Sequence, residues 1–197
     1  MDNNEKATSK NELPKLSELE EELRRVNRKS QFRKLLKSTV YTLIVTAALA
    51  VLVAVFLMPV MRIYGSSMSP TLREGQIVVS VKRAKIKSGD IVGVYYGSKL
   101  LIKRCIATGG QSVMIDEDGN VFVDGVQLDE PYIIQKSLGE TDIEMPFTVP
   151  EHTIFVIGDN RETSIDSRNT AVGCIDLDDV AGKLIIRVWP LGDFGKI

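Results

Sequence analysis

The chain's 197 residues include 25 Lys and Arg against 26 Asp and Glu, a net charge of −1, with 44% hydrophobic and 6% aromatic residues. That length holds one real core plus accessory segments. The composition excludes a nucleic-acid binder, because the basic residues crowd against an apolar run and lack interleaved aromatics.

Charge is unevenly placed, net +4 before Tyr64 and −5 from there on, as expected for a chain whose halves lie in two compartments. Residues 1–14 are polar, a composition that predicts disorder. After Pro14, Ser17 and Glu20 read as a capping box, and Leu16, Leu19, Leu23 and Val26 fall on one helical face. A short amphipathic basic helix is therefore predicted within a cytoplasmic segment, 1–37, lying near anionic lipid or meeting a cytoplasmic partner. No charged residue occurs between Lys37 and Arg62. A membrane helix needs about 20 apolar residues to cross about 30 Å of hydrocarbon, so 38–61 is predicted to span the membrane. The run begins too far from the N-terminus for a cleavable signal, which makes an uncleaved anchor the expectation. Pro59 fits a helix finishing at the membrane surface. Arg24, Arg25, Arg28, Lys29, Arg33, Lys34 and Lys37 precede the run, which places the N-terminus in the cytoplasm and residues 62–197 outside it.

Beyond the anchor the pattern changes to short strands rich in β-branched and aromatic residues: 76–81, 90–96, 99–106, 112–115, 120–124, 153–157 and 181–189. Asp116-Glu-Asp-Gly119 reads as the turn of a hairpin. No long amphipathic helix follows the anchor, so the expectation is a mainly β, antiparallel domain behind one N-terminal membrane helix.

Chemistry has few candidates. His152, the sole histidine, sits in a turn before a strand and reads as a surface residue rather than a triad member. Cys105 and Cys174 with one histidine give no metal-ligand spacing, and neither a metal nor a cofactor is expected. Both cysteines fall on the external side, where a disulfide is permitted, and their separation leaves the pairing open. Serine then needs a base other than histidine. Lysine can serve if burial keeps its amine neutral. Lys103 follows Leu100-Leu101-Ile102, and strand alternation puts Leu101 and Cys105 on its face. Pattern alone leaves it either a base or a strand-edge lysine that guards against aggregation. Gly158-Asp-Asn-Arg-Glu-Thr-Ser-Ile-Asp-Ser-Arg168 is either a polar turn or a scaffold in which Asp and Arg pair while a hydroxyl orients a neighbour.

Taken together, Ser67-Met68-Ser69-Pro70-Thr71, Leu101-Ile102-Lys103-Arg104, and Gly158–Arg161 with Ser164–Arg168 resemble the three motifs of bacterial type I signal peptidases, in the same order behind an N-terminal anchor. The resemblance covers about residues 40–190, judged on three ordered motifs rather than one. It implies a membrane-bound serine endopeptidase that cleaves signal peptides from secreted preproteins, with Ser67 the nucleophile and Lys103 the general base. It further implies that Ser164 hydrogen-bonds the lysine while Asp166 and Arg168 support the site. Gly65 and Met68 flank the nucleophile. Some relatives carry a serine at the position of Gly65 that helps bind the oxyanion, so here the oxyanion is expected to rely on the Ser67 backbone N–H and on what the small glycine admits, such as a water. One span and a short stretch between motifs resemble the compact members typical of Gram-positive bacteria. The implied partners are signal peptides and the phospholipid membrane, with no nucleic acid, and the chain is expected to act as a monomer. Two other readings are a self-cleaving Ser-Lys protease and a catalytically inactive, membrane-tethered β-domain that binds.

Overall fold

The computed structural model describes residues 16–197, so the expectation for 1–14 lies outside the described residues. The chain divides into a helical unit ending at Leu52 and a second unit, Val53–Ile197.

Helix α1 runs without a break from Leu16 to Leu57. Two separate helices were expected here. The stretch between Val26 and Ser38 holds no Gly or Pro to break the ladder, so the basic and apolar segments join. Ser17 lies within this helix. The segment Leu19–Leu57 has a mean hydropathy of 2.7 over its most apolar window, long and apolar enough to cross a membrane. Thr42 and Thr46 donate their hydroxyls to the Ser38 and Thr42 carbonyls, both at 2.9 Å, which pairs these polar groups within the helix. The helix stops earlier than the expected boundary at 61. Pro59 has no amide to donate, the last backbone bond is Met58 N–H to Ala54 O, and Val60–Arg62 becomes strand β1.

The remainder is antiparallel β-structure. The strands are β2 (Ile77–Val81), β3 (Ile91–Tyr96), β4 (Lys99–Thr108), β5 (Ser112–Ile115), β6 (Val121–Val123), β7 (Val126–Gln127), β8 (Phe147–Thr148), β9 (Thr153–Ile157), β10 (Ile175–Asp176), β11 (Val180–Trp189) and β12 (Gly195–Lys196). The larger sheet has the order β1-β2-β11-β3-β4-β9-β10, with β12 also on β11; the smaller is β7-β6-β5-β8.

Strands β4 and β9 separate two layers of core. On β9, Phe155 and Ile157 pack toward the small sheet with Val113 and Val121, whereas Ile154 and Val156 pack with Val92, Val94 and Cys105. This is period-2 alternation with both faces buried, which explains why the strand reads as a continuous apolar run. A third cluster gathers Met61, Ile63, Met68, Leu72, Val78 and Leu184. Cys105 and Cys174 are both free thiols.

Candidate active site

Residues Ser67–Thr71 form a turn directly after β1. It is closed by Ser69 N–H to Ser66 O at 2.9 Å and Leu72 N–H to Met68 O at 2.9 Å. Met68 and Leu72, 2% and 0% exposed, plug this turn into the core, so the apolar residues fix the backbone while Ser67 stays at the surface of a cleft. Met68 thus does packing work, which the motif alone did not reveal. Gly65 has φ +78°, in the left-handed region that L side chains avoid, although nothing lies within 4 Å of where a Cβ would sit.

The cleft, about 600 Å³, is lined on one side by β1 and the following turn, including Gly65, Ser67 and Met68, and on the other by Lys99–Lys103 of β4. Strand β1 is the edge of its sheet, and β9 pairs with β4 only from Arg104 onward. The cleft therefore runs between two extended segments with unpaired backbone edges.

Lys103 is 3% exposed and donates to Ser164 Oγ at 2.7 Å. Burial drives its ammonium form down from the ordinary 10.5, Asp166 acts in the opposite sense, and Arg168 adds to the depression. Asp166 is already engaged: Arg168 Nε donates to Oδ1 at 2.8 Å, its Nη2 to Oδ2 at 3.0 Å, and the Gly158 N–H to Oδ2 at 3.0 Å. Arg168 also donates to Leu138 O and Ser164 O, which ties the loop around the hydroxyl that meets the lysine. Ser67 and Lys103 line the same cleft, and no hydrogen bond joins their side chains among the described residues. Among those residues no intramolecular bond uses the Ser67 N–H either, which leaves it a free donor on a residue that lines the cleft.

The loop at Gly158 is locked to the turn carrying Ser67. Asn160 N–H donates to Ser67 O at 3.0 Å, and a Cβ on Gly158 would lie 2.5 Å from that same oxygen. Only glycine allows the loop to pass this close, a requirement no spacing rule could have exposed.

Several residues here had no assigned role from sequence. Arg104 is buried beside Lys103 and pairs with Asp159 through Nε–Oδ1 at 2.8 Å and Nη2–Oδ2 at 2.7 Å; Asp159 Oδ2 also accepts the Thr71 hydroxyl at 2.5 Å. Strand β4, the loop at Gly158 and the turn carrying Ser67 thus share one carboxylate. The Tyr132 ring lies under the Arg104 guanidinium at 3.7 Å, and its hydroxyl donates to Glu130 at 2.8 Å. Glu130 in turn forms a fully buried pair with Arg161. Thr71 and Arg104 stood inside recognised motifs; Glu130 and Tyr132 sit in an ordinary acidic turn, where the sequence offers no signal. His152 is exposed, with its Nε2 3.6 and 3.7 Å from Asp176 and Asp178. It lies outside the cleft lining, in agreement with its reading as a surface residue. Among the described residues these three side chains form a group that could meet a cation, and none of them lines the cleft.

Comparison with known proteins adds identity to this geometry. Residues 36–189 match the family model described as "Signal peptidase, peptidase S26". The chain is 32% identical to signal peptidase I of Bacillus licheniformis, over 80% of this chain and 90% of that one. It is 30% identical to signal peptidase IB of Staphylococcus aureus, over 82% and 94%. A solved signal peptidase I from Enterococcus faecalis aligns at a TM-score of 0.44 with 27% identity, covering 51% of this chain and 97% of that one.

Proposed function

The chain belongs to the signal peptidase family, peptidase S26, the serine endopeptidases that cleave signal peptides from preproteins, and on that premise we propose that Ser67 is its nucleophile and Lys103 its general base. The observation that carries the assignment is Lys103 itself. It is a buried amine whose ammonium form desolvation disfavours, hydrogen-bonded to a neutral hydroxyl, in the cleft that Ser67 enters.

Neutral Lys103 takes the Ser67 proton as Oγ attacks the scissile carbonyl carbon, and the Ser67 N–H meets the oxyanion. The lysine then gives its proton to the departing amine, leaving an acyl-enzyme. A water that loses a proton to the same lysine hydrolyses the ester and restores Ser67. Ser164 accepts one N–H of Lys103 and so directs the nitrogen lone pair toward the cleft. Asp166 and Arg168 fix Ser164 and leave the lysine little unpaired negative charge to hold a proton. Gly65 lets the chain turn into the nucleophile, and Met68 anchors that turn.

The signal peptide adds as a β-strand between the free edges of β1 and β4, where small side chains at the cleavage site fit shallow pockets. The positive flank of α1 supports a single-pass arrangement in the cell membrane with the N-terminus cytoplasmic and the catalytic domain outside. Site and substrate anchor then share one surface, and a monomer suffices.

The test is to incubate detergent-solubilised protein with a secretory preprotein and sequence the new N-terminus. A new N-terminus after an Ala-x-Ala-like site, lost in Ser67→Ala, is expected. Processing that survives in Ser67→Ala would remove Ser67 as nucleophile, and no processing by the unaltered chain would favour an inactive binding domain.

A further inference from the structure

We propose that the β2–β3 turn, through Lys82, Arg83 and Lys85, is a docking surface for anionic phospholipid headgroups of the bilayer that α1 crosses. This rests on the anchoring of the chain by α1 given above, though not on which side the domain lies.

The position of the turn comes from the backbone. Lys82 N–H donates to Leu57 O at 3.0 Å, and Ser80 N–H donates to Pro59 O at 3.0 Å. Leu57 is the last residue of the apolar helix, so Lys82 is fastened one hydrogen bond from where the span ends. Headgroups occupy about 5–7 Å beyond the hydrocarbon on each side, a depth the Lys82 side chain covers from that point. Arg83 and Lys85 follow within three residues, a contour of about 10 Å, comparable to the Debye length at physiological salt.

The chemistry of the turn matches such a partner. Lys82, Arg83 and Lys85 are exposed and make no ion pair among the described residues. They line a cleft of about 660 Å³ with the half-exposed Tyr95 and with Leu177. Bases on one wall suit a phosphate, and an amphipathic ring with an apolar neighbour suits the glycerol and upper acyl carbons beneath it. Asp178 also borders the cleft, where its carboxylate lies 3.7 Å from His152. Three unpaired bases against the one acid in this lining leave the lining net positive. A free anion would need the bases to converge on a point; a bilayer supplies an extended negative surface, and three side chains spread along a turn fit that better. Each base near such a surface is worth about fivefold in partition.

The full chain should be placed in lipid nanodiscs of phosphatidylcholine alone, or with about one third phosphatidylglycerol, and amide exchange followed by mass spectrometry. The amides of residues 83–86 are expected to exchange at least fivefold more slowly with phosphatidylglycerol, and about 0.5 M salt should erase the difference. In K82Q/R83Q/K85Q the two lipids should give equal exchange, while cleavage of a preprotein in detergent stays at the unaltered rate. Equal exchange of residues 83–86 in both lipids, with residues 40–57 protected, would overturn the proposal while leaving the anchor intact. Protection that persists in the triple variant, or that inorganic phosphate in phosphatidylcholine discs reproduces, would also overturn it. Free exchange of residues 40–57 would overturn the anchor and this surface together.

Discussion

Replacing Gly158 by Ala isolates how closely the scaffold loop must pass the nucleophile. The backbone there is not in the left-handed region, so alanine introduces no dihedral strain. Its Cβ would instead lie 2.5 Å from Ser67 O and 2.6 Å from Ser164 Cβ, closer still to Ser164 Oγ, where ordinary contact begins near 3.4 Å. The two segments must therefore separate by at least about 0.9 Å, in directions that carry Ser67 and the Lys103–Ser164 pair apart. A misplacement of about 1 Å can cost 10²-fold in rate, and overpacking of this kind costs about 1–3 kcal/mol of stability. Steady-state cleavage of a preprotein should show kcat lower by about 100-fold with KM little altered, since Gly158 is not in the cleft wall. Urea denaturation should show a cooperative, modestly weakened domain. A folded variant with kcat within about threefold of the original would refute the claim that this close approach sets the catalytic geometry.

Lys103→Met should abolish cleavage yet stabilise the domain at neutral pH. The folded state holds the amine below its ordinary 10.5, so the unfolded chain binds more protons between the two values and stability rises with pH across that window. The variant's advantage should hence be greatest below the folded value and vanish as pH nears 10.5; urea midpoints across pH decide, and an unchanged difference at all pH contradicts the burial argument. For the same reason cleavage by the unaltered chain should climb with pH through the depressed Lys103 value, and a flat pH–rate profile would exclude a neutral lysine base. Glu130→Gln removes the partner of a buried arginine and should lower unfolding free energy by about 3–5 kcal/mol; a loss under about 1 kcal/mol would mean Arg161 finds another acceptor. Gly65→Ser meets no steric obstacle but must adopt φ +78°, which should cost about 1–2 kcal/mol in urea unfolding; an unchanged midpoint would show that the turn relaxes.

What the sequence made legible follows from which forces are local. Strands β2, β3, β4, β5, β6, β9 and β11 each carry their own alternation or apolar run, and their expected boundaries lie within two residues of those observed. By contrast β7, β8, β10 and β12 are two residues long and exist only because a neighbouring strand offers hydrogen bonds, so no local pattern marks them. Strand β1 was hidden by the apolar run it terminates: Val60 and Met61 look like membrane residues until pairing with β2 is seen. Sequence narrowed the choice of base to Lys103, but its hydrogen bond to Ser164 spans 61 positions and follows from the sheet rather than from spacing. Glu130 and Tyr132 escaped notice because their partners, Arg161 and Arg104, are distant in sequence and adjacent only in the fold.

The pairing of Ser67 with Lys103 is tested most directly by trapping the covalent intermediate. A short peptide ester carrying a signal-peptide cleavage sequence, with a good leaving group, should acylate the full-length protein faster than water removes the acyl group, so that the adduct accumulates in a burst at neutral pH. Acid quench and peptide mapping should then find the acyl mass on Ser67, with none in Lys103→Met. An adduct on Ser66, Ser69 or any other residue, or ester turnover with no adduct at all, would contradict the account.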